Sequence, residues 1–196
     1  MANISNCKQK TDAQLVALTL KNQEYYYHLM KRYESSLMSY IYRLSGMKRT
    51  DIQDILQEVF ILVYQNLNDY DENFKFSSWI YRIARNYTIS MLRKNPKYAQ
   101  NISWDEHDLE QLIQSDFNLE ESLIQKIDYE NLLQIINLLP LKYREVIILK
   151  FIEEKDYQEI SDILKKPIGT VGTLINRARK MLSKEIGRCR EGEKYD

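Results

Sequence analysis

The chain has 196 residues, with 28 basic and 28 acidic side chains summing to a net charge of zero and an apolar content of 44%, which suits one domain or two small ones with a packed core. No apolar run approaches the roughly 18 residues that span a bilayer, residues 1–10 lack an apolar signal core, and Cys7, Cys189, His28 and His107 stand apart with no metal-ligand spacing. These totals exclude a membrane-inserted, disulfide-stapled or metal-clustered protein, and the expectation is a cytoplasmic chain with two free thiols, no metal and no cofactor.

Five glycines and three prolines are too few for a turn-rich fold and point to long helices. Apolar residues recur with helical period almost throughout, and no segment reads as a strand. Thr11 or Asp12 caps a first short helix holding Leu15, Val16 and Leu20. A second, rich in tyrosine, runs from about Gln23 to Leu44 and stops near Gly46. A third starts near Thr50 or Asp51, with a stripe of Ile52, Ile55, Leu56, Val59, Phe60 and Val63. Residues 66–76 read as a loop. Ser77 or Ser78 caps a fourth helix holding Trp79, Ile80, Ile83, Ala84, Tyr87 and Met91, which Asn95-Pro96 stops.

Residues 97 to about 125 are polar and acidic with weak periodicity, and mark the domain boundary. A fifth helix spans about Ile127 to Leu138. Pro140 opens the next, which holds Tyr143, Val146, Ile147 and Phe151, and residues 153–156 form a turn. A short helix from Tyr157 to Leu164 precedes a break at residues 165–169, and a last helix runs from Thr170 to about Ile186 before a frayed tail. There is no repeat of 20 to 50 residues. The expected fold is all-α: two small helical domains, 10–96 and 126–187, joined by a flexible acidic linker, 97–125.

The zero net charge conceals an uneven distribution. Residues 73–104 hold six bases, Lys75, Arg82, Arg85, Arg93, Lys94 and Lys97, and no acid. Residues 105–130 hold nine acids against Lys126, and residues 165–190 hold eight bases against Glu185. Two basic blocks around an acidic one suit two anion-binding surfaces. Solvated helix faces also carry such runs, so charge alone does not decide.

Residues 156–182 have the form of a helix-turn-helix. Ile160, Ile163 and Leu164 share one face of the first helix, and Val171, Ile175, Ala178 and Leu182 form a stripe on the second that packs against it. Thr170 stands at the second helix's start, where its hydroxyl can cap free amides. The outward face then carries Thr170, Thr173, Leu174, Asn176, Arg177 and Lys180. A helix in the major groove presents such residues to base edges: Thr173 and Arg177 as hydrogen-bond donors, Leu174 to a thymine methyl. Arg179, Lys180 and Lys184 suit phosphates. A plain helical hairpin with a basic face is the alternative; short helix, Pro-x-Gly turn and basic second helix together favour DNA.

These residues resemble a family. Leu138-Leu139-Pro140 with Arg144-Glu145-Val146, Tyr157–Leu164, and Gly169-Thr170-Val171 with Asn176-Arg177-Ala178-Arg179 resemble region 4 of the bacterial sigma-70 factors. There the resemblance implies binding of the promoter −35 element and of the β flap of RNA polymerase. Gly172 and Leu174 depart from the pattern, since many members carry basic residues at those places. Residues 51–60 resemble region 2.2, and Asp51, Asp54, Gln57 and Glu58 project away from the apolar stripe. The resemblance implies contact with the β′ clamp coiled coil; a merely solvated face fits the residues equally.

Residues 74–86 resemble the segments that melt the promoter and read the −10 element. A single strand needs stacking rings and a cationic track. Phe74, Phe76, Trp79 and Tyr81 offer rings, Lys75, Arg82, Arg85 and Arg93 charge, and Arg82, Asn86 and Arg93 share a helix face. The −10 set is therefore Phe74, Lys75, Ser77, Trp79, Arg82, Asn86 and Arg93. Core packing competes as the role of each ring, and Phe76 and Trp79 are expected to be at least partly buried. The resemblance places a pocket for a flipped base at about Asn68 to Phe76. It covers residues 12–95 and 127–184, with no counterpart of the acidic N-terminal region or central domain of housekeeping members, which implies the two-domain extracytoplasmic-function (ECF) subfamily.

The expected function is therefore a sigma factor that directs core RNA polymerase to promoters and helps open DNA by recognising −10 and −35 elements. Its partners would be the polymerase core, promoter DNA (duplex at −35, single-stranded at −10) and an anti-sigma factor. It would not be an enzyme. An ordinary helix-turn-helix regulator leaves the Trp79 region without a role. A recombinase or nuclease lacks a phosphate loop or metal cluster. A helical adaptor would bind no DNA and show no salt-dependent affinity.

Overall fold

The computed structural model describes residues 7, 9–95 and 129–192, with side chains at all of these except 129, 130 and 189–192. The linker, Pro96 and the start of the fifth helix at Ile127 lie outside the described residues. Those described form two compact helical units, the first built chiefly from residues up to Met91, and contain no strand.

The first unit holds four helices. In α1 (Asp12–Lys21) Thr11 makes a capping box with Gln14, satisfying two amides that the helix leaves over. Its buried face is Leu15, Val16 and Thr19, while Leu20 is half exposed. The sequence suggested Leu20; Thr19 takes the inward place because its hydroxyl donates to the Leu15 carbonyl (2.8 Å) and leaves no polar atom unsatisfied. A 3-10 turn, Gln23–Tyr25, leads into α2 (Tyr26–Ser45), which ends where Gly46 enters the left-handed region at φ 62°. Helix α3 (Arg49–Gln65) buries all six residues of its predicted stripe.

Helix α4 (Phe76–Lys94) differs from expectation in register. The Trp79 N–H donates to the Lys75 carbonyl at 3.2 Å, so the helix opens before Ser77 and Ser78, and neither is its cap. Its buried residues include Phe76, Ile80, Tyr81, Ala84, Thr88 and Leu92, whereas Ile83, Tyr87 and Met91 are only half buried. Tyr81 is drawn inward by Tyr40 of α2, their ring centroids 5.0 Å apart.

The second unit holds α5 (Tyr129–Leu138), α6 (Leu141–Ile147), α7 (Tyr157–Leu164) and α8 (Ile168–Gly192). Arg144 of α6 is buried and donates to the carbonyls of Asn137 (2.5 Å) and Leu139 (3.2 Å), tying down the end of α5. Burial pushes its guanidinium down to about 10, against the opposing pull of Glu145. A π turn, Ile148–Ile152, follows α6. Its wider turn buries Ile148 and Leu149 and leaves Phe151 half exposed, so Phe151 does not continue the α6 stripe as the sequence implied.

Candidate nucleic-acid interface

In the second unit, α7 starts with a reciprocal cap: the Glu159 N–H donates to Asp156 Oδ1 (2.7 Å) and the Asp156 N–H to Glu159 Oε2 (3.0 Å). It stops at Lys165, which takes the left-handed region at φ 53°. Ser161 then closes the turn, its hydroxyl donating to the Lys166 carbonyl (2.6 Å) and its carbonyl accepting from the Lys166 N–H (3.2 Å).

Helix α8 begins two residues earlier than expected. The Val171 N–H donates to the Pro167 carbonyl at 3.0 Å, which puts Thr170 within the first turn and not at the cap. Proline suits that place because it needs no N–H of its own. Val171, Ile175, Ala178 and Leu182 are all buried, with Ile186 continuing the stripe. The main seat of α8 is α6, with a lesser contact to α5, and Tyr157 of the preceding helix α7 lies beside Gly172.

With that stripe buried, Thr170, Thr173, Asn176 and Arg177 are exposed and Leu174 and Lys180 half exposed, as one outward face. Thr173 is less free than its position implies. Its hydroxyl donates to the Gly169 carbonyl (2.9 Å), so it faces outward as an acceptor. Arg179 lies over the exposed ring of Phe151 at 5.9 Å, and Lys150 over Tyr157 at 5.1 Å. Such contacts hold a cation at the surface without neutralising it. Lys150 lies outside the basic block read from sequence; only the π turn and the placing of Tyr157 reveal it.

In the first unit, the predicted −10 residues separate into two groups. Phe74, Lys75, Asn86 and Arg93 are exposed, and Arg82 and Ser77 half exposed. Asn86 accepts a hydrogen bond from Arg85 Nη1 at 3.0 Å. Trp79, by contrast, is 7% exposed, Phe76 and Tyr81 2% each. These three rings are core, as expected for Phe76 and Trp79; Trp79 packs on Phe76 (5.5 Å) and Tyr70 (5.7 Å). Of the four rings only Phe74 faces outward, at 43% exposure. Nothing periodic in the sequence singles out Tyr70; only its spacing to Phe74, Phe76 and Trp79 hints that it belongs to this cluster.

On α3, Asp54, Gln57 and Glu58 are exposed and Asp51 half exposed. Beside Gln57 an apolar groove of about 550 Å³ runs between α2 and α3, lined by Tyr26, Met30, Phe60, Ile61 and Tyr64 among others.

Residues 29–98 match the model of Sigma-70 region 2, and residues 129–182 that of Sigma-70, region 4. The ECF RNA polymerase sigma factor SigW of Bacillus subtilis is 37% identical over 170 residues, covering 84% of this chain and 90% of its own. The chain belongs to the ECF RNA polymerase sigma factors. The ECF RNA polymerase sigma-E factor of Escherichia coli K12 is 28% identical over 187 residues, covering 91% of this chain and 96% of that one. Two solved structures share the fold. CnrH, in complex with the cytosolic domain of CnrY, is 24% identical with a TM-score of 0.62, covering 91% of this chain and 99% of its own. The sigma factor RpoE of Bartonella quintana, in complex with the anti-sigma factor NepR, is 20% identical with a TM-score of 0.60, covering 86% and 98%.

This sigma factor directs RNA polymerase to promoters. Sigma factors are not enzymes in the catalytic sense. Among the described residues no helix is long and apolar enough to cross a membrane.

Proposed function

We propose that the two units divide promoter reading between them. Residues 126–187 bind duplex −35 DNA through Thr170, Thr173, Leu174, Asn176, Arg177 and Lys180. Residues 10–96 take the melted −10 strand on Phe74, Lys75, Ser77, Arg82, Asn86 and Arg93, with Trp79 supporting from below. The observation that carries this is the clean division of α8, whose apolar stripe is buried while the polar face stays outside. A helix seated in this way projects a basic ridge that fits the major groove.

Asp51, Asp54, Gln57 and Glu58 meet the β′ clamp coiled coil, and region 4 the β flap. The acidic face and the apolar groove beside it suit a basic helix that also carries apolar residues. The chain itself makes or breaks no bond, and works in the cytoplasm where the polymerase is. An anti-sigma factor competes with core for the faces near Asp54 or Thr173; two structures of the same fold were solved with an anti-sigma factor or a partner's cytosolic domain bound.

The deciding experiment is run-off transcription by core polymerase plus this chain on a randomised promoter library. Selected promoters should share two separated elements. If the purified chain does not bind core, the proposal fails.

A further inference from the structure

The loop between the 3-10 turn Leu67–Asp69 and α4 is built to hold one shape. Asp71 Oδ1 accepts from the main-chain N–H of Asn73 (2.9 Å) and from its side-chain amide (2.8 Å), and the Phe74 N–H donates to the Asp71 carbonyl (3.0 Å). Across this turn the Tyr70 hydroxyl donates to the Phe74 carbonyl at 2.7 Å. The ring of Tyr70 stands perpendicular to Phe76, centroids 5.2 Å apart, and tilted against Trp79. Phe76 also packs edge-on against Tyr33 (5.6 Å) of α2, and the Tyr33 hydroxyl donates to the Asp12 carboxylate of α1. Three helices thus anchor the foot of the loop, while the Phe74 ring at its tip remains exposed.

Tyr70 reaches both parts: its half-buried ring packs on the buried Phe76 and Trp79, and its hydroxyl grips the main chain of the tip. We propose that Tyr70 is a positioning residue for capture of the melted strand, holding Phe74 outward before DNA arrives. The physical gain is preorganisation. A loop ordered in advance does not pay its conformational entropy at the moment of binding. The ring alone would not suffice, because a phenylalanine at this place could pack on Phe76 and Trp79 but would release the Phe74 carbonyl. This inference rests on the proposal that the loop receives −10 DNA.

The test uses holoenzyme reconstituted from core polymerase and the full chain. The probe is a fork-junction DNA built on a promoter selected from the library, with 2-aminopurine in the non-template strand at −10. Tyr70→Phe should weaken the open-complex signal about two- to tenfold, the range of one net hydrogen bond. Core affinity should hold, and the melting midpoint should fall by no more than the few degrees that one hydrogen bond accounts for. In a Phe74→Ala background, Tyr70→Phe should add nothing, since two groups acting as one unit are not additive. A full additive loss in that background, or a Tyr70→Phe holoenzyme equal to the parent while Phe74→Ala is impaired, overturns the positioning role alone. A silent Phe74→Ala overturns the reading of the loop as the strand's seat, and the role of Tyr70 with it.

Discussion

Arg177 and Thr173 stand four residues apart on the outward face of α8, and under the proposed −35 role they would offer different chemistry to DNA. The hydroxyl proton of Thr173 is spent on the Gly169 carbonyl, which leaves Arg177 as the stronger donor for base edges. Arg177→Ala should therefore cost about 1–3 kcal/mol of −35 affinity, seen as lost dependence of transcription on that element while core binding persists. Gly172 on the same helix raises the opposite question. A Cβ there would sit 3.7 Å from Tyr157 Cε1, an ordinary contact. Gly172→Ala should stabilise the unit by about 1 kcal/mol from helix propensity, read by urea unfolding; a destabilised variant would mean that Tyr157 cannot accommodate the methyl. Lys165 works against the fold, since a non-glycine residue in the left-handed region costs about 1–2 kcal/mol. Lys165→Gly should recover only part of that, because the greater entropy of the unfolded chain takes back about 0.4–1 kcal/mol; urea unfolding reads the net change.

At the level of elements, the apolar stripes of α3 and α8 are legible in the sequence, whereas some helix starts and the breaks in periodicity are not. The Asp156–Glu159 box follows from a rule of spacing, and Asp156→Ala should lower the stability of the second unit by about 1 kcal/mol. An unchanged urea midpoint would show that the box carries no weight. The α3 stripe was equally plain, because every one of its six apolar positions fell on one face. The π turn after α6 was invisible, since it inserts a wider turn without a proline or glycine to announce it, and so Phe151 was assigned inward when it supports Arg179 outside. The start of α4 was missed for a related reason. Ser77 and Ser78 are good caps by type, but the ring of Phe76 is buried against Tyr33 and Tyr70, and that packing draws the helix start two to three residues back, to Phe76.

For the molecule as a whole, two kinds of charge behaviour separate. Duplex binding by the second unit should weaken linearly in log affinity against log salt, because phosphate contacts release counterions. The first unit has an alkaline weakness. Burial raises the hydroxyl of Tyr26, and burial together with Asp12 raises that of Tyr33, above their ordinary value of 10.0. An acid whose folded value is raised stabilises the fold below its unfolded value and loses that contribution as pH climbs beyond it. Helical signal from the first unit should thus melt at lower temperature as pH rises above 10.0, and Tyr26→Phe should reduce that slope. An unchanged slope would mean that Tyr26 ionises as readily folded as unfolded.

Local rules were enough to establish the all-helical class, the apolar stripe of α3, the outward face of α8 and the acidic face of α3. Each depends on spacing within a few turns of one helix, which a sequence states directly. The sequence points Phe76 and Trp79 inward, but that Tyr81 joins them while Phe74 stays outside needed the assembled fold. Phe74, Phe76, Trp79 and Tyr81 have the same chemistry and lie within two turns of each other. Which one faces solvent depends on Tyr33, Tyr40 and Tyr70 arriving from other segments, a long-range choice that no local pattern encodes. The seat of α8 on α6 is of the same kind. The helix period marks which side is buried, but the partner on that side is chosen by the packing of the whole unit.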